Sequence, residues 1–164
     1  LVWTDCMASA LGESQQQAIL DWLHFGGQIC IDGYDSQAAL KGSFLEPYLP
    51  LQALPEATQT PVDWSLFSRY WSTKQGKDAA VPLSLPKDRT LPTIPASLHG
   101  QAQWLENAEG LVAHRSVGAG RILMTTFPIS DDTFVRWPSY PSFLNSVLLN
   151  RPPRLWVENE FEGD

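Results

Sequence analysis

The chain has 164 residues, 43% of them hydrophobic and 18% charged, which suits one globular domain with a sizeable core and argues against a disordered chain. A formal net charge of −7 argues against a nucleic-acid backbone or an anionic membrane surface as the main partner, since both recruit basic patches. Glu158, Glu160, Glu162 and Asp164 lie in the terminal "VENEFEGD"; without those four the body carries −3, and 158–164 reads as a solvated acidic tail on a domain over 1–157.

"LVWTD" reads as a short buried strand with polar residues at its end, Asp5 among them. "SQQQAILDWLHFGG" follows as a helix, with Ser14 as N-cap and Gln17 three residues on. Its Ile19, Trp22 and Leu23 share a core face, and Gly26 and Gly27 stop it. "QICIDG" is apolar and rich in β-branched residues, which fits a parallel strand covered on both faces. Together these make a βαβ unit.

"SQAALKG" predicts a short helix from Ser36 to Gly42, and "SFLEPYLPL" a second start from Ser43 that prolines break. From Leu49 to Leu98 seven prolines punctuate the chain, as in an ordered excursion or lid. Within it "DWSLFSRYW" has Asp63 as N-cap of a helix offering Trp64, Phe67, Tyr70 and Trp71 for packing, and "AVPLSL" suits an edge strand. "GLVAHRS" and "RILMTTFP", joined by "VGAG", read as an antiparallel hairpin. "SYPSFLNSVLL" closes the domain as a helix from about Ser139.

The order resembles part of a flavodoxin-like α/β domain, a three-layer sandwich with a mostly parallel sheet, a proline-rich middle excursion and a C-terminal β-hairpin plus helix. "WLHFGGQICIDGYDS" followed by "FLEPYLPL" resembles the glycine-bounded strand and loop of the class I glutamine amidotransferase-like superfamily. "VGAGRILMTTFPI", leading to "FVRWPSYPSFLNSVLL", is similar to the ending of such domains in large bacterial proteins, often membrane-tethered. Active members place a cysteine nucleophile in a glycine-x-cysteine-x-glycine elbow just after this strand, and a His-x-Glu pair completes the triad. Here the elbow reads Asp32, Gly33, Tyr34, Asp35, Ser36, and two residues beyond His114 stands Ser116. The resemblance therefore implies the fold without the glutaminase chemistry.

The residues alone agree. Cys30 falls inside the strand, where a thiol is buried and inert, and two cysteines make neither a disulfide framework nor a metal site. His24 reads as helix packing, His114 as a hairpin residue, and His99 reaches a cleft only if the excursion folds over the sheet. "GYDS" lacks the glycines of a serine-hydrolase elbow, so Ser36 reads as a helix N-cap. Asp5, Asp32 and Asp35 can converge, since parallel strands end on one edge where ligands bind; the competing role for the last two is bonding to turn amides. Asp131 or Asp132 is a further rim candidate. Gly118 and Gly120 read as a hairpin turn, and Trp71, Trp104 and Trp137 as free aromatics that mark a contact.

The reading is a non-catalytic amidotransferase-like domain, a ligand- or protein-binding module of a larger bacterial envelope protein. Its binding candidates at the strand end are Asp5, Asp32, Tyr34, Asp35, Ser36 and Trp137, with no cofactor, no metal and no catalytic residue. One alternative is a hydrolase with a carboxylate and histidine site at Asp32, Asp35 and His99. The other is a purely structural interaction domain with an exposed apolar patch around Trp137 and Tyr140. No run of about 18 apolar residues spans a membrane and no signal peptide is visible. The chain opens on "LVWTDC" without an initiator Met, as an excised domain would, which leaves any anchor, export signal or earlier strand to segments outside it.

Overall fold

One glutamine and three apolar residues, Gln28–Ile31, form strand β2, paired in parallel on both sides. The computed structural model describes residues 1–4, 6–55, 62, 64–72, 80–85 and 91–151. Asp5, Asp63 and the acidic stretch 158–164 lie outside the described residues.

β1 (Val2–Trp3) pairs with β2, and β2 with β7 (Gly120–Thr125), both in parallel; β7 continues antiparallel to β6 (Val112–Val117) and β6 to β5 (Gln103–Trp104). The result is a mixed five-stranded sheet, parallel at its core, in an α/β fold. The expected βαβ unit is β1, α1 (Glu13–His24) and β2. The expected hairpin is β6 and β7, and the closing helix is α5 (Tyr140–Leu149), with Ser139 as N-cap and Asn150 in the left-handed conformation as its stop.

Side chains alternate across the pleat, so one strand feeds two cores. Ile122 and Met124 of β7 pack with Leu23 of α1 and Leu40 of α2 (Gly33–Leu40). Leu123 between them packs on the other face with Phe67 of α3 (Trp64–Trp71), Phe134 of α4 (Asp132–Val135) and Phe143 of α5. Phe67 is almost wholly buried, with the rings of Trp64, Trp71, Phe127, Phe134, Trp137 and Phe143 around it, the closest centroid 5.1 Å away.

Several sequence expectations shift. The cap of α1 is Gly12, not Ser14: Gln15 Oε1 accepts the Gly12 N–H at 3.0 Å, and the Gly12 carbonyl accepts from the amides of Gln15 and Gln16. A glycine cap is invisible to a search for cap side chains. Trp22 is 44% exposed and not on the core face, because its ring lies over Gly27, where a Cβ would meet it. Residues 80–85 form no strand. Their backbone is used by side chains, Ser68 Oγ accepting the Leu83 N–H at 2.7 Å and the Trp137 indole donating to the Val81 carbonyl at 2.9 Å. The sequence reading also lacked α4, β5 and the ribbon of β3 (Leu51–Ala53) with β4 (Ala96–Leu98). All are short or irregular, below the length at which periodicity speaks.

Candidate functional site

The strand-end edge is built by β2 running out into Asp32 and by the loop that follows β7. Asp32 ends the strand and starts the helix. Its N–H donates to the Trp3 carbonyl at 3.0 Å, continuing the parallel ladder, while its carboxylate serves as the N-cap of α2. Oδ1 accepts the Asp35 N–H at 3.5 Å and Oδ2 accepts the Ile129 N–H at 2.9 Å. The side chain is wholly buried. Burial raises its pKa above the usual 3.8, and the Asp35 carboxylate adds to the rise; the Ile129, Asp35 and Tyr34 amides oppose it by favouring the charged form.

The helix thus begins three residues before the expected start at Ser36: Asp and Ser rank alike as caps, and the packing of the first turn against β7 sets Asp32 as the one used. Ser36 lies inside α2, fully buried, with its hydroxyl unpartnered. Gly33 opens the helix where a Cβ would run into the Thr125 carbonyl of β7, so this first turn sits directly on the neighbouring strand. Tyr34 is 41% exposed and Asp35 is exposed, both on the solvent side of the turn. Asp35 in a first helical turn complements the positive end of the helix.

The remaining candidates scatter. Trp137 is not a free aromatic: it is 3% exposed and packed against Phe67, Phe134 and Phe143. Tyr140 is half-buried, its hydroxyl donating to the Ile129 carbonyl at 2.9 Å. The expected patch around these two is therefore core. Exposed apolar side chains gather instead at Leu1, Val2, Trp22 and Phe25, beside β1. Asp131 caps α4 by accepting the Thr133 N–H at 2.8 Å, and Asp132 pairs with Arg136 at 3.2 Å on the surface.

The histidines lie apart from Asp32. His24, exposed at the end of α1, has Nδ1 2.7 Å from the Leu20 carbonyl and its ring edge against Tyr48. His99 has Nδ1 3.2 Å from the Leu49 carbonyl and lines a cleft of about 270 Å³ with Gln37, Lys41, Glu46 and Gln52. Neither Asp32 nor Asp35 lines that cleft. His114 is half-buried on β6 opposite Leu123; burial first, and the nearby Arg121 charge second, lower its pKa.

No family model, curated protein or solved structure matches the chain. The chemistry of the edge therefore rests on its own geometry. Cys30 is buried on β2 with its thiol pushed up to about 12, by burial first and then by the Asp32 carboxylate. A thiol so protonated is a poor nucleophile. Among the described residues no cluster of three or more histidine, cysteine, aspartate or glutamate side chains is placed to hold a metal ion. What the edge does well is tie elements together. Asp32 joins the end of β2, the first turn of α2 and the loop after β7 in one buried knot.

The sequence reading missed Arg121. Its signal was a cation heading the apolar run "ILM".

Proposed function

We propose that the chain is a flavodoxin-like, amidotransferase-like α/β domain without catalytic activity, serving as a binding module of a larger bacterial envelope protein. The observation that carries this reading is the state of Asp32. Its two oxygens are committed to backbone amides at the position where an active relative would present its elbow. A general base must reach a substrate proton, and a nucleophile must be paired with a base that is itself oriented. The Asp32 carboxylate is closed off from solvent, and His99 opens on another cleft. The strand–turn–helix shape thus supports a scaffold in which the elbow has become a structural joint.

The test is ammonia release from L-glutamine by the purified full chain, alongside hydrolysis of 4-nitrophenyl acetate. Neither should exceed the rate of a heat-denatured control. Glutamine turnover that vanishes in Cys30→Ser would overturn the reading, and so would ester hydrolysis that vanishes in Asp32→Asn or His99→Gln while the variant remains folded.

A further inference from the structure

A second cleft, of about 350 Å³, opens on the opposite face of the sheet from α1 and α2, between the end of α3, the first residues of β7 and α5. Its lining includes Tyr70, Trp71, Leu105, Arg121, Phe143 and Arg151. Arg121, the second residue of β7, lies on the same face as Leu123, between Gln28 of β2 and Ser116 of β6. Its Nε donates to Gln28 Oε1 at 3.2 Å and one Nη to the Val147 carbonyl. A guanidinium has five N–H donors, and among the described residues these two bonds leave three for a ligand.

No carboxylate among the described residues pairs with Arg121; the ion pair found there is Asp132 with Arg136, on the surface. Among the described residues this half-buried guanidinium is bonded only to neutral oxygens, without the counter-charge that usually offsets the cost of desolvation. Arg151, exposed at the rim, adds a second positive charge in a chain of net charge −7.

The wall beside the arginines is aromatic. Trp71 packs edge-on against Phe143, with centroids 5.3 Å apart, and its indole Nε1 is buried without a partner. Buried donors are nearly always satisfied. The Trp71 N–H has no accessible surface, so what the cleft itself brings together is the guanidinium and the flat apolar wall, and both are met by one kind of molecule.

We propose that this cleft binds a small organic carboxylate, its head group on Arg121 and Arg151 and its flat apolar body along Trp71 and Phe143. Guanidinium matches the planar two-oxygen head of a carboxylate. A single negative charge also loses less hydration than a dianion on entering a half-buried site. The volume is at the small end of ligand pockets, which suits a body of one or two rings. The inference gives the binding module of the preceding section its ligand class and rests on that reading.

The experiment is a titration of the ¹⁵N-labelled full chain with 2-naphthoate, and in parallel with uncharged 2-naphthylmethanol, following the indole N–H resonances. The Trp71 signal is identified by its loss in Trp71→Phe. Saturable binding of naphthoate that moves the Trp71 indole resonance is expected, with the alcohol weaker by about tenfold or more. Arg121→Gln should weaken naphthoate by a similar factor. Because Arg121 also holds the Val147 carbonyl, the exposed Arg151→Ala, outside the core, is the second variant and should weaken naphthoate by about threefold or more while leaving the alcohol unchanged.

Equal binding of acid and alcohol, indifference to Arg151→Ala, or no saturation at millimolar naphthoate would each overturn the proposal. The two readings fail separately. Glutamine turnover would remove the non-catalytic reading whatever naphthoate does, and absence of naphthoate binding in an inactive, folded chain would remove only this ligand.

Discussion

Asp32 and Ile129 stand 97 residues apart in sequence, and the carboxylate of one accepts the backbone N–H of the other at 2.9 Å inside the protein. This contact holds the exit of β2 against the loop that leaves β7, and through the Asp35 amide it also sets the first turn of α2. Removing the carboxylate would orphan a buried N–H and a helix cap together. Asp32→Ala should therefore lower unfolding stability by about 1–3 kcal/mol, read as a fall in the urea midpoint at unchanged slope. An unchanged midpoint would mean that the edge is held by something else.

The same side chain gives a pH signature. Its folded pKa lies above the unfolded value near 3.8, chiefly through burial, so between the two values the native state holds a proton that the unfolded chain has released. The contribution of Asp32 is complete below about pH 3.8 and declines as pH rises through the folded pKa. Asp32→Asn cannot titrate and loses that dependence. Compared at pH 4, 5, 6 and 7, the wild type should lose stability relative to Asp32→Asn as pH rises; a constant difference would contradict the raised pKa.

His114 should act in the opposite direction. Burial and the Arg121 charge depress its pKa below the usual 6.5, so the unfolded chain takes up a proton before the folded one does. Its contribution is present above about pH 6.5 and is lost as pH falls through the folded pKa. His114→Gln should flatten the decline of stability between about pH 6.5 and 5 relative to wild type. Parallel curves for the two proteins would show that the imidazole is not held neutral by its surroundings.

How much of this could be read beforehand follows from the reach of each signal. "QICI" and the hairpin "GLVAHRS" with "RILMTT" are runs whose period and composition fit one structure, and they fold as expected. The strand–turn–helix shape after Ile31 was legible from Asp32 and Gly33, but the helix start was misplaced at Ser36. Local rules rank both Asp and Ser as caps, and only the close seat of Gly33 on Thr125 decides between them. In the sequence Trp137 reads as a surface aromatic because nothing within ten residues of it shows Phe67 or the Val81 carbonyl. Its burial is a long-range fact, 56 residues from its hydrogen-bond partner. The arginine–aromatic cleft was hidden for the same reason, since Trp71, Arg121 and Arg151 meet only once α3 and α5 have packed.

Gly33 offers a test of that close seat. A methyl group there would collide with the Thr125 carbonyl, a backbone atom that cannot swing aside. Gly33→Ala should cost about 1–3 kcal/mol, as overpacked sites do, although alanine is the better helix former. Gly12→Ala is the control, since the nearest atom to a Cβ at that position is Gln15 Oε1 at 3.8 Å. Its urea midpoint should fall much less, and equal losses at both positions would show that the contact with β7 is not what matters.

The cysteines test whether the strand can supply a nucleophile. Cys6 is exposed, whereas Cys30 is 1% exposed with its thiol pushed up to about 12. At pH 8 a thiol with that value is almost wholly protonated, and reaction with a disulfide reagent needs both thiolate and access. Ellman's reagent should therefore titrate one thiol rapidly in the native chain and the second only after urea unfolds it. Cys6→Ser should abolish the rapid phase. If native Cys6→Ser still reacted at a rate comparable to a free thiol, Cys30 would be reachable and ionisable, and the strand would carry the nucleophile that its burial argues against.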